Sequence, residues 1–163
     1  MSTLYQQLGF LILGSRLRRM SEYFLAEVSK VYEGLEIPFE PSWFPLFYIL
    51  VRDQKASIRQ VADELMTSHS AISQLVTKLK ERELIVTLLS PSDKRIQLIG
   101  LSKKGEQLSL LLKPVWERIS QSMTAMEKED PEVAHFLSAL THLERHFERN
   151  ALSDLIMKDI QKS

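Results

Sequence analysis

The chain has 163 residues, 44% of them hydrophobic and 26% charged, the make-up of a globular protein able to bury a core without disulfide or metal staples. It has no cysteine, which excludes disulfide frameworks, thiolate metal sites, cysteine nucleophiles and thiol-based redox sensing. Net charge is zero, but residues 55–104 hold nine Lys/Arg against five Asp/Glu while both flanks are acidic, the distribution expected if one face meets phosphate.

One fold unit is the starting expectation. The apolar runs Phe10–Leu13 and Leu46–Val51 fall far short of the ~20 residues that cross a bilayer, so they read as core and no membrane partner is expected. No basic segment precedes the first apolar stretch, so a cytoplasmic location is the expectation. From Leu13, the apolar positions Leu17, Met20, Phe24, Val28 and Val31 recur at spacings of three and four, one face of a long helix that Gly34 and Pro38 end. Ser42 to Arg52, with Trp43, Phe44, Phe47 and Tyr48, reads as a short buried helix. Ser57 caps a helix with Ile58, Val61, Ala62 and Leu65 on its apolar face, and Ser68 or Ser70 caps a second with Ile72, Leu75, Val76 and Leu79 inward. The period then changes to that of strands at Leu84–Leu89 and Arg95–Leu101, with the turn SPSD between them. Ser102 caps another long helix, kinked at Pro114, and Asp130 with Pro131 opens a last helix bearing Val133, Phe136, Leu137, Leu140, Leu143 and Phe147. Residues 150–163 continue that helix or form a separate short one.

Two short helices joined by a tight turn and followed by a hairpin form a winged helix-turn-helix. The expected fold is therefore mainly α with a small β-hairpin wing (α+β), its head at residues 55–101. The second helix of such a head enters a major groove about 12 Å wide and reads base edges through short polar side chains. With its apolar positions inward, this helix presents His69, Ser70, Ser73, Gln74, Thr77 and Lys78, a face free of acids. Gln74 can make paired hydrogen bonds to adenine, Ser70 and Ser73 can reach bases or phosphates, and Lys78 with Arg82 can neutralise backbone. The same pattern also suits the solvated side of an ordinary amphipathic helix.

The run SIRQVADELMTSHSAISQLVTKLKERELI followed by SPSDKRIQLIGLSKKGEQL resembles the multiple-antibiotic-resistance regulator (MarR) family of bacterial repressors. Asp93, Lys94 and Arg95 stand where that family has an Asp-x-Arg wing signature, and Leu101 to Gly105 where it has a Leu-Thr-x-x-Gly helix opening. The motifs cover about residues 42–125. The resemblance implies that Arg95 reaches the minor groove or its phosphates and that Asp93 braces the wing, while Lys94, Lys103 and Lys104 keep charge nearby. Without it, Asp93 is a turn residue and Arg95 a strand-edge charge. Two departures stand out. Glu83 replaces the glycine that usually closes the recognition helix, and Val86, Thr87, Leu88 and Leu89 occupy a wing strand usually rich in arginine. Fewer backbone contacts, or a wing packed on something apolar, would follow.

Readers of this kind bind two half-sites, roughly 34 Å apart, as two-fold dimers. The resemblance implies that residues 1–36 and 105–163 form a helical dimerisation region, that the DNA partner is a pseudo-palindromic operator, and that a small aromatic effector releases it. Tyr23, Phe24, Trp43, Phe47 and Trp116 would line the effector site, although aromatics at helical spacing equally make core. His142 and His146 stand one turn apart, with His135 seven residues before His142, but no third ligand has matching spacing, so neither a metal nor another cofactor is expected. Gly-rich phosphate loops and nucleophile motifs are missing, so an enzyme is not expected. The expected function is a sequence-specific, ligand-responsive homodimeric repressor. The alternative is a protein-interaction module whose winged helix no longer reads DNA.

Overall fold

The computed structural model describes residues 3–89 and 97–161. It is mostly helical, with one three-stranded antiparallel sheet. The chain divides into two compact units, Met1–Lys113 and Pro114–Ser163, where one had been expected.

In the first unit, α1 (Leu4–Leu8) opens on a capping box in which Thr3 and Gln6 satisfy each other's backbone N–H groups. A 3-10 turn leads into α2 (Leu13–Gly34). A second 3-10 turn, Pro41–Trp43, precedes α3 (Phe44–Asp53). Strand β1 (Lys55–Ser57) then feeds α4 (Ile58–Glu64), which the Ser57 side chain caps on Gln60 N. Next come α5 (His69–Glu81), β2 (Ile85–Leu89), β3 (Gln97–Leu101) and the start of α6 (Lys103–Glu129). The helix pair and hairpin thus stand as expected, with the additional strand β1 on the far edge of β3. A three-residue strand carries too little alternation to register as a period, and only its pairing of Ala56 with Ile99 reveals it.

The core of this unit is aromatic. Phe39, which no periodic segment contains, meets Tyr32, Trp43 and Phe47 edge-to-face at centroid distances of 5.4, 5.5 and 5.2 Å, the arrangement ring quadrupoles favour. Leu46, Ile49 and Leu50 of α3, Val61 and Ala62 of α4, and Ile72, Val76 and Leu79 of α5 are buried with it. Phe44 and Tyr48 lie on the exposed side of α3, so that helix is half-buried rather than buried. The run Phe10–Leu13 is not core of its own chain, since Phe10 is 82% and Leu11 85% exposed.

The second unit contains the remainder of α6, with Pro114 inside the helix, then α7 (Pro131–Ala134), α8 (Phe136–Arg149) and α9 (Leu152–Ile160). Asp130 caps α7 by accepting from Glu132 N. The last helix read from the sequence is broken at His135 into α7 and α8, and residues beyond Asn150 form the separate short helix α9, one of the two readings left open for them. Neither α8 nor α9 buries a residue.

One contact in the first unit tolerates no side chain. A Cβ at Gly105 would run into the carbonyl of Leu84, so Gly105→Ala is expected to cost about 2 kcal/mol through overpacking. Gly14→Ala, where nothing lies within 4 Å, should cost nothing by the same urea titration. Equal midpoints for the two variants would contradict this packing.

Candidate nucleic-acid interface

The recognition face starts from the cap. Ser68 takes the N-cap position of α5 in extended backbone and its hydroxyl accepts from Ala71 N at 3.1 Å, so Ser68 rather than Ser70 sets the helix start. With Ile72, Val76 and Leu79 in the core, His69, Ser70, Gln74, Thr77 and Lys78 are exposed and Ser73 is half-buried. Leu75 is half-buried at the margin rather than inward. These residues share one side of α5 because its buried positions repeat at three and four. The Thr77 hydroxyl donates to Ser73 O at 3.0 Å. Its donor is thereby used within the helix, leaving outward a methyl group and an acceptor.

Arg82, expected at phosphate, and Lys104 are both engaged by groups of the chain itself. The Arg82 guanidinium lies 5.8 Å over the Trp43 ring, a cation–π contact. Lys104 donates to Arg82 O at 2.9 Å and meets the Glu83 carboxylate at 3.1 Å. Lys55, Lys78, Lys80 and Lys103 are exposed. Asp93, Lys94 and Arg95 lie outside the described residues.

The position where the resemblance expects glycine is left-handed all the same. Glu83 has φ +62°, Glu83 N donates to Lys80 O at 2.8 Å and Leu84 N to Leu79 O at 2.9 Å, the two-bond closure of a helix C-terminus. Beyond it the outer face of the wing is apolar: Val86 stands opposite Gly100 and Leu88 opposite Leu98, and Val86, Leu88 and Leu89 are exposed.

Arg52, which the sequence did not single out, ties the end of α3 to the end of α4. It donates to both oxygens of Glu64 at 2.7 and 2.8 Å and to both of Asp53 at 2.7 and 2.8 Å. These bonds hold the Asp53 and Glu64 carboxyls below their ordinary values of 3.8 and 4.5, and raise that of Arg52. A cleft of about 320 Å³ beside them is lined by Asp53, Lys55, Gln60 and Glu64 among others.

That cleft contains none of the aromatic residues expected to hold an effector. Trp43 and Phe47 are closed into the Phe39 core, whereas Tyr23 and Phe24 stand on the exposed surface of α2. Burial of the first pair follows from the edge-to-face packing, which periodicity alone could not tell from a pocket lining. Trp116 is half-buried in the second unit. Among the described residues no three His, Asp or Glu side chains converge as a metal site requires, and no helix is long and apolar enough to cross a membrane.

A capped helix pair, a three-stranded sheet with a two-stranded wing and a polar outer face on the second helix define a winged helix-turn-helix protein. Residues 37–96 match the family model described as the MarR family. Over that segment the chain is similar to the MarR family. It is 24% identical over 96 residues to the HTH-type transcriptional regulator MhqR of Bacillus subtilis (strain 168), a match covering 59% of this chain and 62% of that regulator. The chain therefore aligns with less than two thirds of that relative. Among solved structures, its fold is similar to the transcriptional repressor CouR bound to a 23-mer DNA duplex (TM-score 0.67, 23% identity, 88% of this chain and 99% of that one). It is also similar to a mutant MarR from E. coli complexed with operator DNA (TM-score 0.65, 18% identity, 87% and 99%).

Two outcomes are expected of this platform. Ser68→Ala should lower stability by about 1 kcal/mol, the worth of a lost N-cap, by denaturant titration. Because the folded carboxyl values of Asp53 and Glu64 are lowered, their contribution is fully present above the unfolded values and is lost as pH falls through the folded ones. Thermal melts below about pH 4.5 should then decline more gently in Arg52→Met than in the parent; parallel declines would remove this role for Arg52.

Proposed function

We propose that this protein is a sequence-specific DNA-binding transcriptional regulator that acts as a homodimeric repressor on a pseudo-palindromic operator. The observation that carries the reading is the outer face of α5, where His69, Ser70, Gln74, Thr77 and Lys78 stand exposed while Ile72, Val76 and Leu79 anchor the helix behind them. Short polar side chains without an acid suit entry into a major groove. Gln74 supplies the paired donor and acceptor that adenine matches, Ser70 and Ser73 supply hydroxyls, and Lys78 supplies charge at the groove wall. Arg95 reaches the adjacent minor groove, with Lys94 beside it and Asp93 bracing the wing; this part of the proposal rests on the motif alone. Relatives named as regulators, and similar folds solved on DNA, support it.

The head spans residues 55–101 and the dimer forms through helices in residues 1–36 and 105–163. Exposed Phe10 and Leu11 in the first segment, and Phe136, Leu137, Leu152, Ile156 and Ile160 in the second, support this, since apolar patches of that kind mark association surfaces. Release by a small aromatic effector belongs to the same proposal, with Tyr23 and Phe24 on the exposed surface of α2 as its contacts in the first unit. The apolar outer face of the wing, Val86 and Leu88, favours a second reading, a protein-interaction module built on the same head.

Anisotropy titration of duplexes selected from random DNA tests the two. A regulator gives salt-sensitive binding in which Gln74→Ala costs about 1–3 kcal/mol at one base pair and Arg95→Ala weakens all sequences; binding to no duplex at low salt would leave the interaction module. Sedimentation should give twice the chain mass, falling toward the monomer in Phe136→Glu/Ile156→Glu.

A further inference from the structure

The recognition helix ends against the first residues of α6. Past Glu81 the last turn leaves carbonyls without intrahelical donors, and all of those that follow are taken by one short segment some twenty residues later. Arg82 O accepts from Lys104 Nζ at 2.9 Å, Glu83 O accepts from the Ser102 hydroxyl, and Leu84 O accepts from Ser102 N at 3.0 Å. The Ser102 hydroxyl also accepts from Gly105 N at 3.0 Å, so one side chain caps α6 while holding the end of α5. Gly105 lies beneath the Leu84 carbonyl, where no Cβ fits. The two segments are therefore fixed to each other through backbone atoms, the least adjustable part of either.

We infer that Lys104 is a positioning residue for DNA reading: together with Glu83 it clasps the C-terminal end of α5 and so sets how the Ser70–Lys78 face is presented. The inference rests on the DNA-reading function proposed above. Three features separate this role from a grip on phosphate. The ammonium spends donors on Arg82 O and on the Glu83 carboxylate, and that carboxylate offsets the charge a phosphate would feel. A cation at a helix C-terminus is favourable in its own right, because the last carbonyls carry partial negative charge. Finally, Glu83 sits at φ +62°, where a side chain is disfavoured relative to glycine. Its carboxylate is held 3.1 Å from Lys104 in that conformation, which gives the side chain a use there. Arg82 belongs to the same assembly, its guanidinium over Trp43, so the helix end is tied to α6 by its carbonyl and to the aromatic core by its side chain.

The pair is exposed, with side chains 59% and 79% accessible, so the ion pair adds a small but measurable coupling to stability and the larger effect is expected in geometry. The test uses the full-length chain, a duplex selected by the parent from random DNA, and an unrelated duplex, each titrated across a salt series. Lys104→Met should weaken binding to the selected duplex about five-fold, the scale of a cation at a helix C-terminus, and leave the unrelated duplex and the salt slope unchanged. Lys104→Arg, which keeps a donor for both partners, should restore the affinity to within about two-fold. A salt slope shallower by about one unit, with both duplexes weakened alike, would make Lys104 a phosphate contact and overturn the inference. A double-mutant cycle of Glu83→Gln and Lys104→Met, read by melting temperature without DNA, is expected to be non-additive; additive effects overturn the clasp whatever the DNA result. A parent chain that binds no DNA overturns the function on which the inference rests, and the cycle reports on the clasp separately.

Discussion

The fold turns on the carbonyl of Leu84. This residue closes α5 through its N–H to Leu79 O, begins β2 one residue later, and receives Ser102 N on its carbonyl while Gly105 passes beneath. Helix, wing and the long α6 are all aimed by that crossing. A turn that must leave a helix, start an edge strand and admit a second backbone at close range has few solutions, and the left-handed Glu83 is the one adopted here. Strain at that residue is small beside the three carbonyls it allows to be satisfied.

Behind the crossing, the Phe39 cluster gives the head a rigid base. Edge-to-face rings on three sides of Phe39 join the end of α2 to α3, and the buried stripe of α5 adds to the same core. Two polar ties reinforce it at the surface, Arg52 between α3 and α4 and Lys104 between α5 and α6. Lys104, like Arg82 over Trp43, is a cation of the basic middle that composition alone would count toward a DNA-binding charge. Charge that a sequence displays and charge that a surface offers therefore differ, and the basic middle of this chain is less available than its nine cations imply.

The second unit poses the opposite case. Its α8 and α9 are strongly two-sided helices that bury nothing, and α1 with the turn after it exposes Leu4, Phe10 and Leu11 in the first unit. Exposed apolar faces of this extent are what the proposed association with another copy rests on.

Much of the head was legible in the residues themselves. The three-and-four spacing of Ile72, Val76 and Leu79 and the capping chemistry of Ser57 and Ser68 are local, and local rules sufficed to place α4 and α5 and to divide their faces. The hairpin was equally plain from its change of period. Relations between distant residues were not. Nothing in a one-dimensional pattern pairs Ala56 with Ile99, sets Phe39 among three rings, turns Arg82 onto Trp43 or brings Lys104 to the end of a helix that stops more than twenty residues earlier. Nor could spacing tell that the Phe10 run faces outward while Trp43 and Phe47 face in, because burial depends on what the rest of the chain sets against a side chain. The sequence by itself determined the helix pair, the two strands after it and the polar outer face of α5, since those follow from backbone propensity and periodicity. Only the tertiary structure decided which cations remain free to meet a partner, because that is settled by through-space contacts which the order of residues does not encode.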